Sequence, residues 1–131
     1  SMRNRIEAAY KVLNADYPIG FIIAPVFVYD GWKEEYKMLI RDLNNKLAVD
    51  KHKNISFEII SHRYTTKAKN RINEIFPETS LPMTDEERTF KYGQFGYGKY
   101  VYNKEQLSEM KDFFMEQLGT YFSDSEIKYI I

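Results

Sequence analysis

The chain has 131 residues, 44% of them hydrophobic, and its 19 basic and 19 acidic side chains balance. That length suits one domain with its own core, and the even charge leaves no global field to draw it onto nucleic acid or anionic lipid. With no cysteine and two histidines, disulfides, thiolate metal sites, cysteine nucleophiles and a His-rich metal site are excluded.

No apolar run reaches the roughly 18 residues that would span a membrane, and the start lacks a signal-peptide pattern, so a cytoplasmic protein is expected. Charge is uneven along the chain. Lys51, Lys53, Arg63, Lys67, Lys69 and Arg71 face a single acid, Glu58, between positions 51 and 71, whereas acids dominate after Glu105. An anionic partner should meet the middle of the chain.

Residues 4–14 carry Ile6, Ala9, Tyr10 and Leu13 at helical spacing and stop at Asp16-Tyr17-Pro18, because proline disfavours helical geometry in the residue before it. The continuous apolar run Ile19–Ala24 suits a strand covered on both faces. Pro25 cannot donate to a ladder, so regular pairing should weaken there. Asp30 is the expected N-cap of a helix through Leu47, with Trp32, Tyr36, Leu39, Ile40 and Leu43 on one face. After a polar loop, Ile55–Ser61 is the second strand of a βαβ unit. Thr65 or Thr66 caps a third helix ending before Pro77, and Thr84-Asp85-Glu86-Glu87 reads as the first turn of a short helix with helix-start acids. Asn103 caps a long helix through Phe122, and Glu126–Ile131 forms a short last strand. The single domain thus divides into βα units over 1–83 and, over 84–131, a short helix, a hairpin, the long helix and the strand.

Between them lies the least ordinary stretch, Lys91-Tyr92-Gly93-Gln94-Phe95-Gly96-Tyr97-Gly98-Lys99-Tyr100. Glycine admits positive φ and close backbone approach, and aromatics favour half-buried strands, so a hairpin is expected. Two uses fit: a structural hairpin whose rings cap the core, or a projecting finger offering rings and cations to a flat anionic ligand. In parallel α/β sheets ligands collect at the carboxyl ends of strands. Here those ends are Ala24-Pro25-Val26 and Ser61-His62-Arg63-Tyr64, the second opening a helix whose first turn, with Lys67, favours anions. No phosphate loop, nucleophile motif or HExxH is present, so no catalytic or metal-ligating residue is assigned within the chain.

Tyr17-Pro18-Ile19-Gly20-Phe21-Ile22-Ile23-Ala24-Pro25, Gly31-Trp32, Phe57–Thr65 and the Lys91–Tyr100 stretch, in that order and followed by a long helix and a final Ile127-Lys128-Tyr129, closely resemble the C-terminal third of the spore photoproduct lyases. The resemblance implies an α/β fold, the last part of a partial (β/α) TIM-type barrel with an appended hairpin. It implies a radical S-adenosylmethionine enzyme that repairs the ultraviolet-induced thymine dimer of spore DNA. In that family an iron–sulfur cluster of the 4Fe–4S type, held by a CxxxCxxC loop, generates the radical. With no cysteine, this stretch alone is expected to bind no cofactor and not to catalyse. Ala24 and Pro25 would lie on the cofactor side of the barrel mouth. Gln94, Phe95, Tyr97, Lys99 and Lys91, with His62, Arg63 and Lys67, would contact the DNA lesion. Where the family's finger commonly reads Gly-Arg-Tyr-Gly at its tip, this chain has Gln94 and Phe95: the amide replaces a guanidinium charge, and the ring lacks a hydroxyl. The other reading is a stand-alone α/β nucleic-acid-binding or interaction module. A fragment stripped of earlier strands should also expose a sheet edge and self-associate.

Overall fold

The computed structural model describes residues 1–131. Helix α1 (Met2–Asn14) starts earlier than its apolar stripe requires, because the Ser1 hydroxyl accepts from the Asn4 N–H at 3.3 Å and caps it. Strand β1 (Ile19–Val26) leads to helix α2 (Trp32–Lys46) and strand β2 (Ile55–Ser61). The cap of α2 is Gly31, in the left-handed region at φ 86°, with no side-chain hydrogen bond, so Asp30 does not serve as the N-cap. The polar loop before β2 is wound into a 3-10 turn, Val49–Asn54, which buries His52 against the ring of Phe122 at 4.4 Å.

Strands β1 and β2 pair in parallel, with Phe21 opposite Phe57 and their rings stacked at 5.5 Å. The register slips between Ile23 and Val26, where Pro25, after a cis peptide bond, offers no N–H to the ladder. A third strand, β5 (Glu126–Ile130), runs parallel on the far side of β2, giving the order β1-β2-β5. Two parallel strands alone would make a poor sheet; the last five residues of the ladder supply the third.

The helices cover one side of this sheet. Leu13 of α1, Trp32, Ile40 and Leu43 of α2, and Met110, Phe114 and Leu118 of α4 (Lys104–Tyr121) form one cluster with Ile23, Ile55, Phe57 and Ile59. Each wholly buried ring in it, such as Phe57 or Phe114, contributes about 2–3 kcal/mol of burial. The opposite face is open: Gly20 and Ala24 are exposed and Ile22 is 65% exposed. The apolar run of β1 is therefore covered on one face only, and β1 is an edge.

Helix α3 (Thr66–Ile75), capped by the Thr65 hydroxyl on the Ala68 N–H, buries none of its residues. Asp85–Glu87 is a single 3-10 turn. Strands β3 (Thr89–Tyr92) and β4 (Gly98–Val101) form a separate antiparallel ribbon. Helix α4 opens on a full capping box: Asn103 accepts from the Gln106 N–H at 2.8 Å, and the Gln106 side chain accepts from the Asn103 N–H at 3.2 Å.

Candidate nucleic-acid interface

The ribbon stands on the carboxyl end of β2. Tyr64 and Tyr100 exchange both backbone hydrogen bonds, at 3.1 and 2.7 Å, and their rings stack at 5.2 Å. Val101 and Tyr102 at the ribbon's root are buried. Away from the root the burial vanishes. Tyr92 and Phe95 are each 84% exposed and Tyr97 is 77% exposed. Only the root rings cap a core; the tip rings project into solvent.

The tip turn is closed by the Gly93 N–H donating to Tyr97 O at 2.7 Å, with Gly96 at φ 76°. The Phe90 ring lies across Gly98 so closely that a Cβ there would fall 1.9 Å from its Cζ. No larger residue fits at Gly98 without displacing that ring. Pairing sets Lys91 directly opposite Lys99. Like charges across a ladder destabilise it, and neither lysine takes part in an ion pair. Rings and uncompensated cations on one exposed ribbon are the elements of a surface that stacks bases and tracks phosphates.

The strand mouth behaves differently. His62 is buried. Its ring packs on Phe27 at 4.5 Å, and Arg88 donates to its carbonyl at 2.9 Å and lies 3.1 Å from Nδ1. Burial first, then the Arg88 charge, lowers the His62 pKa from 6.5 to about 4, so at neutral pH it is an uncharged hydrogen-bond acceptor. Arg63 is half-buried and turns back onto Ser61 O and Oγ at 3.4 and 3.3 Å. Lys67 is exposed and unpaired. The stretch from position 51 to 71 is less basic in space than in sequence, because Lys51 pairs with Asp16, Lys69 with Asp85, and Arg71 with Glu74. Asp85 does more than begin a helical turn: it accepts from Tyr64 Oη and Lys69 Nζ, each at 2.9 Å. The lysine bond first, then the tyrosine bond, hold its carboxyl below the usual carboxylate range, while burial opposes them.

Ala24 and Pro25 are exposed beside a groove of about 250 Å³, shared with Phe21, Ile22, Tyr36 and Leu39. Just beyond, the Phe27 N–H donates to Tyr36 Oη at 3.2 Å and the Val28 N–H to Tyr102 Oη at 2.9 Å. The mouth of β1 is thereby tied to α2 and to the root of the ribbon. No three His, Asp or Glu side chains lie together in a way that could hold a metal ion.

The arrangement can be set beside known proteins. A family model described as spore photoproduct lyase matches residues 1–131. A spore photoproduct lyase from Clostridium acetobutylicum is 53% identical over 131 residues, which is all of this chain and 38% of that protein. One from Bacillus subtilis is 40% identical over 125 residues, 95% of this chain and 36% of that protein. Among solved structures, a spore photoproduct lyase mutant with bound AdoMet and dinucleoside spore photoproduct superposes with TM-score 0.94 at 34% identity, covering all of this chain and 38% of that one. A spore photoproduct lyase complexed with dinucleoside spore photoproduct matches equally, with TM-score 0.94 and 34% identity over 100% of this chain and 38% of that one. The chain thus spans a little over a third of the length of these relatives. A match that runs through every strand, helix and the aromatic ribbon, at up to 53% identity, places this chain in the spore photoproduct lyase family.

Proposed function

We propose that the chain is the C-terminal portion of a spore photoproduct lyase, in which it completes a partial (β/α) barrel and presents the β3–β4 finger to DNA carrying the thymine dimer. The open sheet face bearing Ile22 and Ala24 becomes the barrel's interior wall, and the uncovered edge of β1 pairs with a preceding strand. Residues 1–83 supply βα units and residues 84–131 the finger, α4 and the closing strand of a single domain.

The observation that carries the reading is the tip, where three rings stand exposed above a directly opposed lysine pair. Such a surface stacks or wedges unpaired bases and neutralises phosphates. Phe95 and Tyr97 offer the rings, Gln94 hydrogen bonds, and Lys91 and Lys99 the charge. Lys67 and Arg63 extend the contact toward the strand mouth. His62, buried and neutral, serves that surface from beneath.

For the cofactors, the residues divide. Without cysteine the chain offers no thiolate to a 4Fe–4S cluster, whose ligands belong to the rest of the enzyme; alone, the chain is inactive and keeps neither cofactor. Ala24 and Pro25, exposed at the carboxyl end of β1, would face the S-adenosylmethionine side of the barrel mouth in the whole enzyme, where that cofactor supplies the hydrogen-abstracting radical. The two residues would bound that side of the site by shape. No helix is long and apolar enough to cross a membrane; the lesion-bearing DNA would be met in the spore cytoplasm.

Phe95→Ala in the full-length enzyme tests the reading. Because the ring is exposed, fold and cluster content should persist. Loss of one stacking platform, about 1–3 kcal/mol, should weaken lesion-DNA binding roughly 5- to 150-fold. Unchanged binding and repair would remove the finger from the interface.

A further inference from the structure

We infer that Arg88 is the positioning residue that fixes the angle of the aromatic finger over the strand mouths. This rests on the proposed role of the finger in gripping DNA. Arg88 stands immediately before Thr89, the first residue of β3, so its backbone leads straight into the finger. Its guanidinium donates to His62 O and Pro82 O, each at 2.9 Å, and lies 3.1 Å from His62 Nδ1. It also covers the Tyr102 ring at 3.7 Å and approaches the Tyr64 ring at 5.5 Å.

These partners are the ends of the other elements. Tyr102 Oη accepts from Val28 at the exit of β1, the His62 ring packs on Phe27, and Tyr64 forms the bridge to Tyr100. One side chain therefore ties the exits of β1 and β2, the loop at Pro82 and both ends of the ribbon's root. A two-stranded ribbon is marginal by itself, and the Tyr64–Tyr100 bridge offers a hinge of only two backbone hydrogen bonds. Locking that hinge needs a planar fork of donors, which Arg has and Lys lacks.

No carboxylate pairs with Arg88. Its charge stands against neutral acceptors and ring faces, an arrangement chosen for direction more than for ion pairing. The residue sits at the root, so it steers what the exposed tip holds without touching it. Displacement of a bound group by about 1 Å costs on the order of a hundredfold in rate.

The test uses Arg88→Met and Arg88→Lys. In the 131-residue chain, amide exchange of Tyr64 and Tyr100 should accelerate at least tenfold in both variants, with the α4 amides unaffected. In the full-length enzyme, lesion-DNA affinity should stay within about threefold while turnover of the bound lesion falls ten- to hundredfold, and Lys should not rescue it. Unchanged Tyr64 and Tyr100 exchange, full rescue by Lys, or an affinity loss with turnover of the bound lesion intact would each overturn the inference. A wild-type enzyme that fails to bind lesion DNA would sink the DNA-gripping reading instead, and the exchange data would still decide whether Arg88 holds the finger.

Discussion

At the scale of single residues, His62 shows what position in a sequence conceals. At the end of a strand and beside Arg63 it promises a cation for an anionic ligand; in the fold it is an acceptor beneath the surface. Its folded pKa of about 4 lies below the ordinary 6.5. The unfolded chain therefore binds the extra proton between those values, and the stability from burying the neutral ring is complete above pH 6.5 and lost as pH falls toward 4. With allowance for solvent close to the ring, the effect is about 2 kcal/mol. Urea titrations of the wild type should lose that much across this window, and His62→Asn should not. Asp85 titrates elsewhere: its lowered pKa removes stability only below the ordinary carboxylate range, so the two contributions separate. An equal slope in the two proteins would deny His62 its neutral role. Arg88, the partner that explains His62, carries no signal in the sequence. It sits in no motif, between Glu87 and Thr89, and its acceptors are 26 and 6 residues away in sequence.

At the scale of elements, the local chemistry was legible and the tertiary cover was not. Helical spacing marked α2 and α4, and the Asn103 and Thr65 caps formed because short polar side chains there meet free helix N–H groups. Gly31 displaced Asp30 because the chain enters α2 through a left-handed residue, which periodicity cannot register. The finger's glycines and rings announced a hairpin; its freedom from the core depended on where the ribbon docks, a long-range fact. The lysine pair gives the element its own prediction. Lys91→Gln relieves a like-charge contact, so the ribbon should gain roughly 0.2–1 kcal/mol at low salt, measurable by amide exchange in β3 and β4. The same change should weaken DNA binding for all sequences and reduce the salt slope of log K by about 1. A ribbon made more stable with binding undiminished would mean that the lysines meet no phosphate.

At the scale of the whole molecule, the sheet has one covered face and one open face, and its two edges are unequal. The β5 edge carries exposed Glu126 and Lys128, the kind of charged rim that discourages strand addition. The β1 edge is eight residues long and carries exposed Ile22 and Ala24 beside an apolar groove. An edge of this kind is a template for another chain. In the full-length enzyme the preceding strand would occupy it; in the 131-residue chain alone, the available strand of matching pattern is β1 of a second copy. Light scattering should therefore show concentration-dependent dimers or larger species. Ile22→Lys should restore the monomer without unfolding, since Ile22 is 65% exposed and outside the core cluster. Attaching the preceding segment of the enzyme should do the same by filling the edge. A chain that stays monomeric at high concentration would contradict an edge shaped for a missing strand, and with it the assignment of the open face to a barrel interior.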